Sequence, residues 1–174
     1  MNKRGVTLIE LLGAIVLMGI IASLIALFIS VISNANRDIA LNSRANTEGL
    51  IIISALDTKL REFKATDYSL CAASNCITLE NHFDYVLDTI TTSLILQEHV
   101  PPLTLEIELL NSQLYIDGVL QVPNGFTLDA SSAITITETA GLVQILIQIN
   151  LLAPTGEVFH FSTSNSFEIQ AVPA

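Results

Sequence analysis

Glu10 is the one ionisable side chain between Val6 and Ile32. Its neighbours are apolar, small or hydroxyl residues. Placing a charged side chain at a bilayer centre costs about 2.5–3.5 kcal/mol on insertion scales, so this carboxylate calls for a cationic partner. Cys71 and Cys76 form a second candidate pair and bracket the stretch Ala72-Ala73-Ser74-Asn75. They could close a disulfide, remain free thiols, or join His82 as metal ligands. Outside the cell a disulfide is the favoured reading. Closing so short a loop stabilises by about 2 kcal/mol. The metal reading lacks a fourth ligand and the two-residue cysteine spacing common in zinc sites.

His82, His99 and His160 are scattered and fall in no nucleophile or metal motif. They read as surface or hydrogen-bonded strand histidines. G-x-S-x-G, H-E-x-x-H and phosphate-loop patterns do not occur. Asp84 with Asp88, or Glu106 with Glu108, could bind calcium, yet no loop has calcium-ligand spacing. A solvated acidic face is the plainer reading. The expectation is no catalytic residue, no metal site and no cofactor.

Charge is unevenly spread. The chain has 7 basic and 17 acidic residues, a net charge of -10. Every Lys and Arg (Lys3, Arg4, Arg37, Arg44, Lys59, Arg61, Lys64) precedes position 65. The remainder repels phosphate, which argues against direct nucleic-acid binding by that part.

The elements that must position these groups begin with residues 11–32. As a helix they span about 33 Å, close to the hydrocarbon thickness of a bilayer. That stretch is longer than the apolar core of a secretory signal peptide. Lys3 and Arg4 precede it, while Arg37 beyond it is offset by Asp38. The positive-inside rule puts the N-terminus in the cytoplasm and the rest outside.

The run Lys3, Arg4, Gly5, Val6, Thr7, Leu8, Ile9, Glu10, Leu11, Leu12 resembles the prepilin signature of the type IV pilin family. The resemblance covers about the first thirty residues. It implies that a prepilin peptidase cuts between Gly5 and Val6 on the cytoplasmic side and then N-methylates Val6. The apolar helix stays on the mature protein. Val6 stands where the family usually has Phe. Glu10 lies four residues beyond Val6, on the same helical face, where the helix dipole favours negative charge. In the family such a carboxylate is thought to meet the N-terminal amine of a neighbouring subunit and set its register. The implied partners are other pilin subunits, prepilin peptidase, an inner-membrane platform protein and an assembly ATPase, with membrane lipid before assembly. The filament would be a type IV pilus, a type II secretion-like pseudopilus or a competence DNA-uptake filament. The alternative is a membrane-anchored extracellular binding domain or a tip adhesin.

The helix is expected to continue to about residue 65. Ala45, Gly49, Ile52, Ile53, Leu56, Leu60 and Phe63 recur at three- and four-residue steps, a stripe that needs a covered face. Beyond it, Leu103, Leu105, Ile107 and Leu109 alternate with polar residues, as in a strand with one wet face. Asp117-Gly118 marks a hairpin. Val143, Ile145, Ile147, Ile149 and Leu151 form one strand face, with Gln144, Gln148 and Asn150 opposite. Further strands are expected at 157–161 and 167–169. Residues 83–96 read as a strand followed by a short helix or loop. This rhythm of strands resembles the heads of minor pseudopilins. The expected fold is α+β: a long N-terminal helix whose second half packs on one mostly antiparallel sheet of five to seven strands, the pilin ladle. The expected divisions are a leader at 1–5, a transmembrane and filament-core helix at 6–32, its amphipathic continuation at 33–65, and an extracellular β-rich head at 66–174.

Overall fold

The computed structural model describes residues 8–71, 75–88, 93–121 and 123–169. The expected leader at residues 1–5 lies outside them. The fold is α+β: one long helix, then strands that pair antiparallel. The chain divides into two compact units, Met1–Arg44 and Ala45–Ala174.

Helix α1 runs Leu8–Phe63, 56 residues. No proline precedes Pro101, so nothing removes a helical donor or clashes with a preceding turn. Between residues 45 and 63 the buried positions are Ala45, Gly49, Ile52, Leu56 and Leu60. Their steps of three and four place them on one face. Arg61 Nε donates to Asp57 Oδ2 at 2.8 Å, one turn back. The helix closes at Lys64, whose φ of 52° is the left-handed conformation usual just past a C-terminus.

Strands β1 (Asp67–Leu70), β2 (Cys76–Leu87), β3 (Leu94–Leu110), β4 (Gln113–Ile116) and β5 (Val119–Gln121) form one sheet in sequence order. Strands β6 (Thr127–Leu128), β7 (Ala133–Thr139), β8 (Leu142–Leu152) and β9 (Val158–Glu168) form a second. In the second sheet β8 is central. It pairs with β9 along its length, and β7 and then β6 share its other edge. The single sheet expected from the sequence is therefore corrected to two. The cause lies between β5 and β6, where Pro123 and Gly125 (φ 81°) turn the chain off the first meander. Phe126 N–H donates to the Pro123 carbonyl there at 3.4 Å.

Two hairpins follow from turn chemistry. Ile116 faces Val119 across Asp117 (φ 53°) and Gly118 (φ 71°). Thr139 faces Leu142 across Ala140 (φ 52°) and Gly141 (φ 82°). Positive φ at both central residues is the turn whose twist matches the flanking strands. Of residues 83–96, the expected strand is present: β2 continues to Leu87 and β3 begins at Leu94, while residues 89–92, where the helix or loop was expected, lie outside the described residues. The β2–β3 register shifts between Asn81 and Phe83, opposite a stretch of β3 containing Pro101 and Pro102. Prolines lack the N–H a ladder needs. Residues 158–161 and 167–168 belong to the single strand β9 and not to two strands.

Helix and both sheets contribute to the core. Ile77, Leu79, Leu105, Ile107 and Leu114 of the first sheet are at most 2% exposed. Val143, Ile145, Ile147, Ile149 and Leu151 of β8 are fully buried. Leu60, Leu79, Ile145 and Phe167 line one small cleft, where the three layers meet. Gly49 lies under Phe161: a Cβ there would overlap the ring. The chain leaving α1 is seated on β2. Thr66 donates its N–H (2.8 Å) and its hydroxyl (3.2 Å) to the Glu80 carbonyl. Asn81 Nδ2 donates to the Phe63 carbonyl at 3.4 Å. Asn150, expected on the wet face of β8, is buried. Its amide donates to Ser131 Oγ at 2.9 Å and its Oδ1 meets His160 Nδ1 at 2.8 Å. A buried amide costs little once its hydrogen bonds are made.

Candidate functional site

Three sites expected from the sequence concern the N-terminal segment. Gly5 and Val6 lie outside the described residues. Glu10 sits in the first turn of α1 on an exposed surface. The first N–H groups of a helix have no partner within it, and the dipole there is positive, so a carboxylate is well placed. Beyond Glu10 the apolar side chains point outward all round. Leu12, Ile15, Leu17 and Phe28 are each at least 60% exposed. The helix is long and apolar enough to cross a membrane, and none of its apolar stretch is buried. Its polar atoms are answered locally where they occur: Ser23 Oγ donates to the Gly19 carbonyl at 2.9 Å. Such internal satisfaction is what a hydrocarbon surrounding requires.

Cys71 and Cys76 are bonded to each other, with Cα atoms 5.4 Å apart. The strand arms read from the sequence are β1 and β2, and Leu70 opposite Ile77 is their last pair before the bridge. The disulfide staples that hairpin at its loop end. Residues 72–74 of the loop lie outside the described residues. Both sulfurs are engaged, so the free-thiol reading is corrected. The same bond removes the sulfurs from the Cys71–Cys76–His82 grouping, and His82 Nε2 meets Glu80 Oε2 at 3.2 Å. Glu106 Oε1 lies 3.6 Å from Cys76 Sγ and 3.9 Å from Cys71 Sγ. These are contacts and not hydrogen bonds, since a disulfide sulfur carries no proton. Sequence reasoning did not place Glu106 there. Only the β2–β3 register, which sets Glu106 opposite Thr78, brings it over the bridge.

Of the carboxylates considered for calcium, Glu106 and Glu108 stay on one face of β3, whereas Asp84 and Asp88 form no helical pair. Asp84 is on β2 and Asp88 falls just past its end, so they share no helical face. Asp84 Oδ2 instead meets His99 Nε2 at 3.1 Å. That hydrogen bond, helped by one from Asn81, holds the Asp84 carboxyl below the usual carboxylate range. Asp129 is also pushed down, chiefly by the Ser131 hydroxyl and N–H that donate to it. Tyr68 donates to Glu138 Oε2 at 3.1 Å, and this bond raises the phenol above its ordinary value. The Tyr68 ring also meets Phe167 edge-on at 6.4 Å, tying β1 to the second sheet. These pairs hold strands together. Each of the three histidines has a carboxylate or amide partner.

No curated protein and no solved structure matches the chain. Residues 1–26 match the prokaryotic N-terminal methylation motif. Glu10 at a helix start, the all-round apolar helix beyond it and that match agree: the chain carries the type IV pilin-like signature.

Proposed function

We propose that this protein is a structural subunit, a minor pilin or pseudopilin, of a type IV pilus, a type II secretion-like pseudopilus or a competence DNA-uptake filament. It is a substrate of prepilin peptidase and not itself an enzyme. Cleavage falls between Gly5 and Val6, and Val6 is then N-methylated. Residues 6–32 anchor the chain in the cell membrane with its N-terminus cytoplasmic and residues 66–174 outside, until a platform protein and an assembly ATPase move it into the filament. Glu10 meets the Val6 amine of a neighbouring subunit. The observation that carries this reading is the match of residues 1–26 to the methylation motif. The position of Glu10 supports it: an amine on Val6 would stand four residues before the carboxylate, on the same helical face.

One experiment follows both the processing and the docking. The wild-type chain and Glu10→Ala are expressed in native cells, and their N-termini are read by mass spectrometry from the membrane pool and from sheared filaments. Both chains are expected to begin at N-methylated Val6 in the membrane, because loss of a charge leaves the anchor lipid-compatible. The mutant is expected to be depleted at least tenfold from the filaments, since removing one partner strands the other charge in a low-dielectric core. A wild-type N-terminus at Met1 or beyond Ile32 would overturn the pilin reading. Normal incorporation of Glu10→Ala would remove Glu10 from the docking role.

A further inference from the structure

The Cys71–Cys76 bridge offers its two sulfurs unequally. Cys76 is 5% exposed, whereas Cys71 is half-buried. A thiolate opens a disulfide by attacking one sulfur, and the other departs as a thiolate. Burial closes the approach to Cys76. The sulfur open to attack is therefore that of Cys71, and the leaving sulfur is that of Cys76.

A carboxylate stands beside both sulfurs. Glu106 Oε1 lies 3.6 Å from Cys76 Sγ and 3.9 Å from Cys71 Sγ. Both edges of β3 fix its place. On one edge Glu106 is opposite Thr78, whose Oγ1 is 3.5 Å from Cys71 Sγ. On the other, its backbone N–H donates to Asp117 Oδ1 at 3.2 Å and its carbonyl accepts the Asp117 N–H at 2.8 Å. The surrounding charge has the same sign. Glu108 is the cross-strand partner of Cys76. Glu80, two residues beyond Thr78 on the same face of β2, is engaged with Ser69 and His82. No Lys or Arg follows Lys64 in the chain, so no strand supplies a permanent cation.

The Glu106 charge acts twice on exchange. It repels an approaching thiolate, and it opposes the negative charge that forms on Cys76 Sγ as the S–S bond breaks. Two unit charges about 4 Å apart change an equilibrium about fivefold even in bulk water, and more where water is partly excluded. We infer that Cys71 is a thiol–disulfide exchange site that selects its small-thiol partner by charge, with Glu106 as the selecting residue: cationic and neutral thiols are admitted and anionic ones are turned away. The thiolate of the small thiol forms a bond to Cys71 Sγ. The Cys71–Cys76 bond breaks, and its electron pair leaves on Cys76 Sγ, which takes a proton from water. Attack by a second thiolate on the mixed disulfide then leaves both cysteines reduced and the small thiol oxidised to its own disulfide. The loop end of the β1–β2 hairpin loses its staple. Nothing in this chemistry depends on cleavage after Gly5.

The test uses the full-length chain in a neutral detergent with cysteamine, mercaptoethanol and mercaptopropionate, which carry a cationic, a neutral and an anionic tail. Each rate of bridge opening is divided by the rate of the same thiol with hydroxyethyl disulfide, which removes differences in intrinsic nucleophilicity. Reactions are quenched in acid, and adducts are mapped by peptide mass spectrometry. The corrected wild-type rates should fall in the order cationic, neutral, anionic, and the first adduct should sit on Cys71. Glu106→Gln should raise the mercaptoethanol rate about three- to tenfold and narrow the span between the cationic and anionic thiols about two- to fivefold. Glu98→Gln makes the same change of net charge at an exposed position eight residues away along β3, about 26 Å. That is beyond the screening length of physiological salt, so it should alter neither rate nor span. A first adduct on Cys76 overturns the entry at Cys71. A wild-type span no wider than that of Glu106→Gln overturns the selection by charge. It does so even if every rate rises in the mutant, because a loosened hairpin speeds all thiols alike.

Discussion

Leu, Ile and Val dominate both the first half of α1 and strand β8, and the two regions treat them in opposite ways. Ile15 and Leu17 are 65% and 61% exposed, whereas Ile145 and Ile147 are fully buried. The difference lies in the pattern of apolar residues more than in their number. On β8 they alternate, so one face can be covered by a single layer while the other meets water. Around the first half of α1 they face every direction, and a single helix cannot bury a surface that encircles it. In β8 the apolar residues encode a fold. In the first half of α1 they encode a surrounding that lipid or other subunits must supply. The second half of the same helix behaves like β8, because its apolar positions have narrowed to one stripe.

The contrast is sharpest for the same substitution made in both halves of one helix. Leu56→Ala should destabilise the head by about 2–5 kcal/mol, the range for emptying a buried leucine site. Leu17→Ala should leave head stability unchanged. Urea unfolding of the full chain in detergent, followed by a head-specific probe, reads both. Equal effects would mean that the two halves fold as one unit and that the contrast is false.

Gly49→Ala comes next. The added methyl overlaps the Phe161 ring, and overpacking a core costs about 1–3 kcal/mol. Adding Phe161→Leu should recover part of the loss, since a smaller side chain frees the space. If Gly49→Ala is neutral, or stabilising as an alanine in an open helix would be, the helix does not sit under that ring as described.

The disulfide should matter about as much, and only in the head. Cys71→Ser with Cys76→Ser should cost about 2 kcal/mol, as expected for so small a loop. Membrane insertion should be untouched. Alkylation of freshly isolated wild-type protein without reductant should label neither thiol. Full labelling would remove the staple.

The smallest effect is on acid stability. Asp84 is held below its ordinary value by His99. Its contribution is therefore fully present above the unfolded carboxylate pKa, about 4, and is lost as pH falls through the lower folded value. Asp84→Asn should flatten the acid limb of the head's stability profile and leave the first half of α1 indifferent. An identical acid limb in mutant and wild type would show that the Asp84–His99 bond does not contribute.

What was legible in the sequence was local. The buried stripe Ala45, Gly49, Ile52, Leu56 and Leu60 follows from a period near 3.6 residues, and the buried face of β8 from a period of two. The Asp117-Gly118 turn follows from residues that tolerate positive φ. Residues 94–96 were not legible as the start of β3, because the alternation that marks that strand is clear only beyond Pro101 and Pro102, from Leu103 onward. Asn150 lies on the expected face of β8 but is covered there, because polarity alone cannot distinguish a wet position from one whose hydrogen bonds are made by Ser131 and His160.

The sequence by itself determined where the chain is apolar all round, where apolar residues keep to one face, and which short motif precedes the helix. Each is a property of neighbours along the chain, and helix and strand periods convert it directly into geometry. Only the tertiary structure decided that the strands divide into two sheets, that Phe161 closes over Gly49, and that Glu106 comes to lie over the Cys71–Cys76 bridge. These depend on register and on packing between residues distant in sequence, where a shift of one residue would turn every side chain of a strand to its other face.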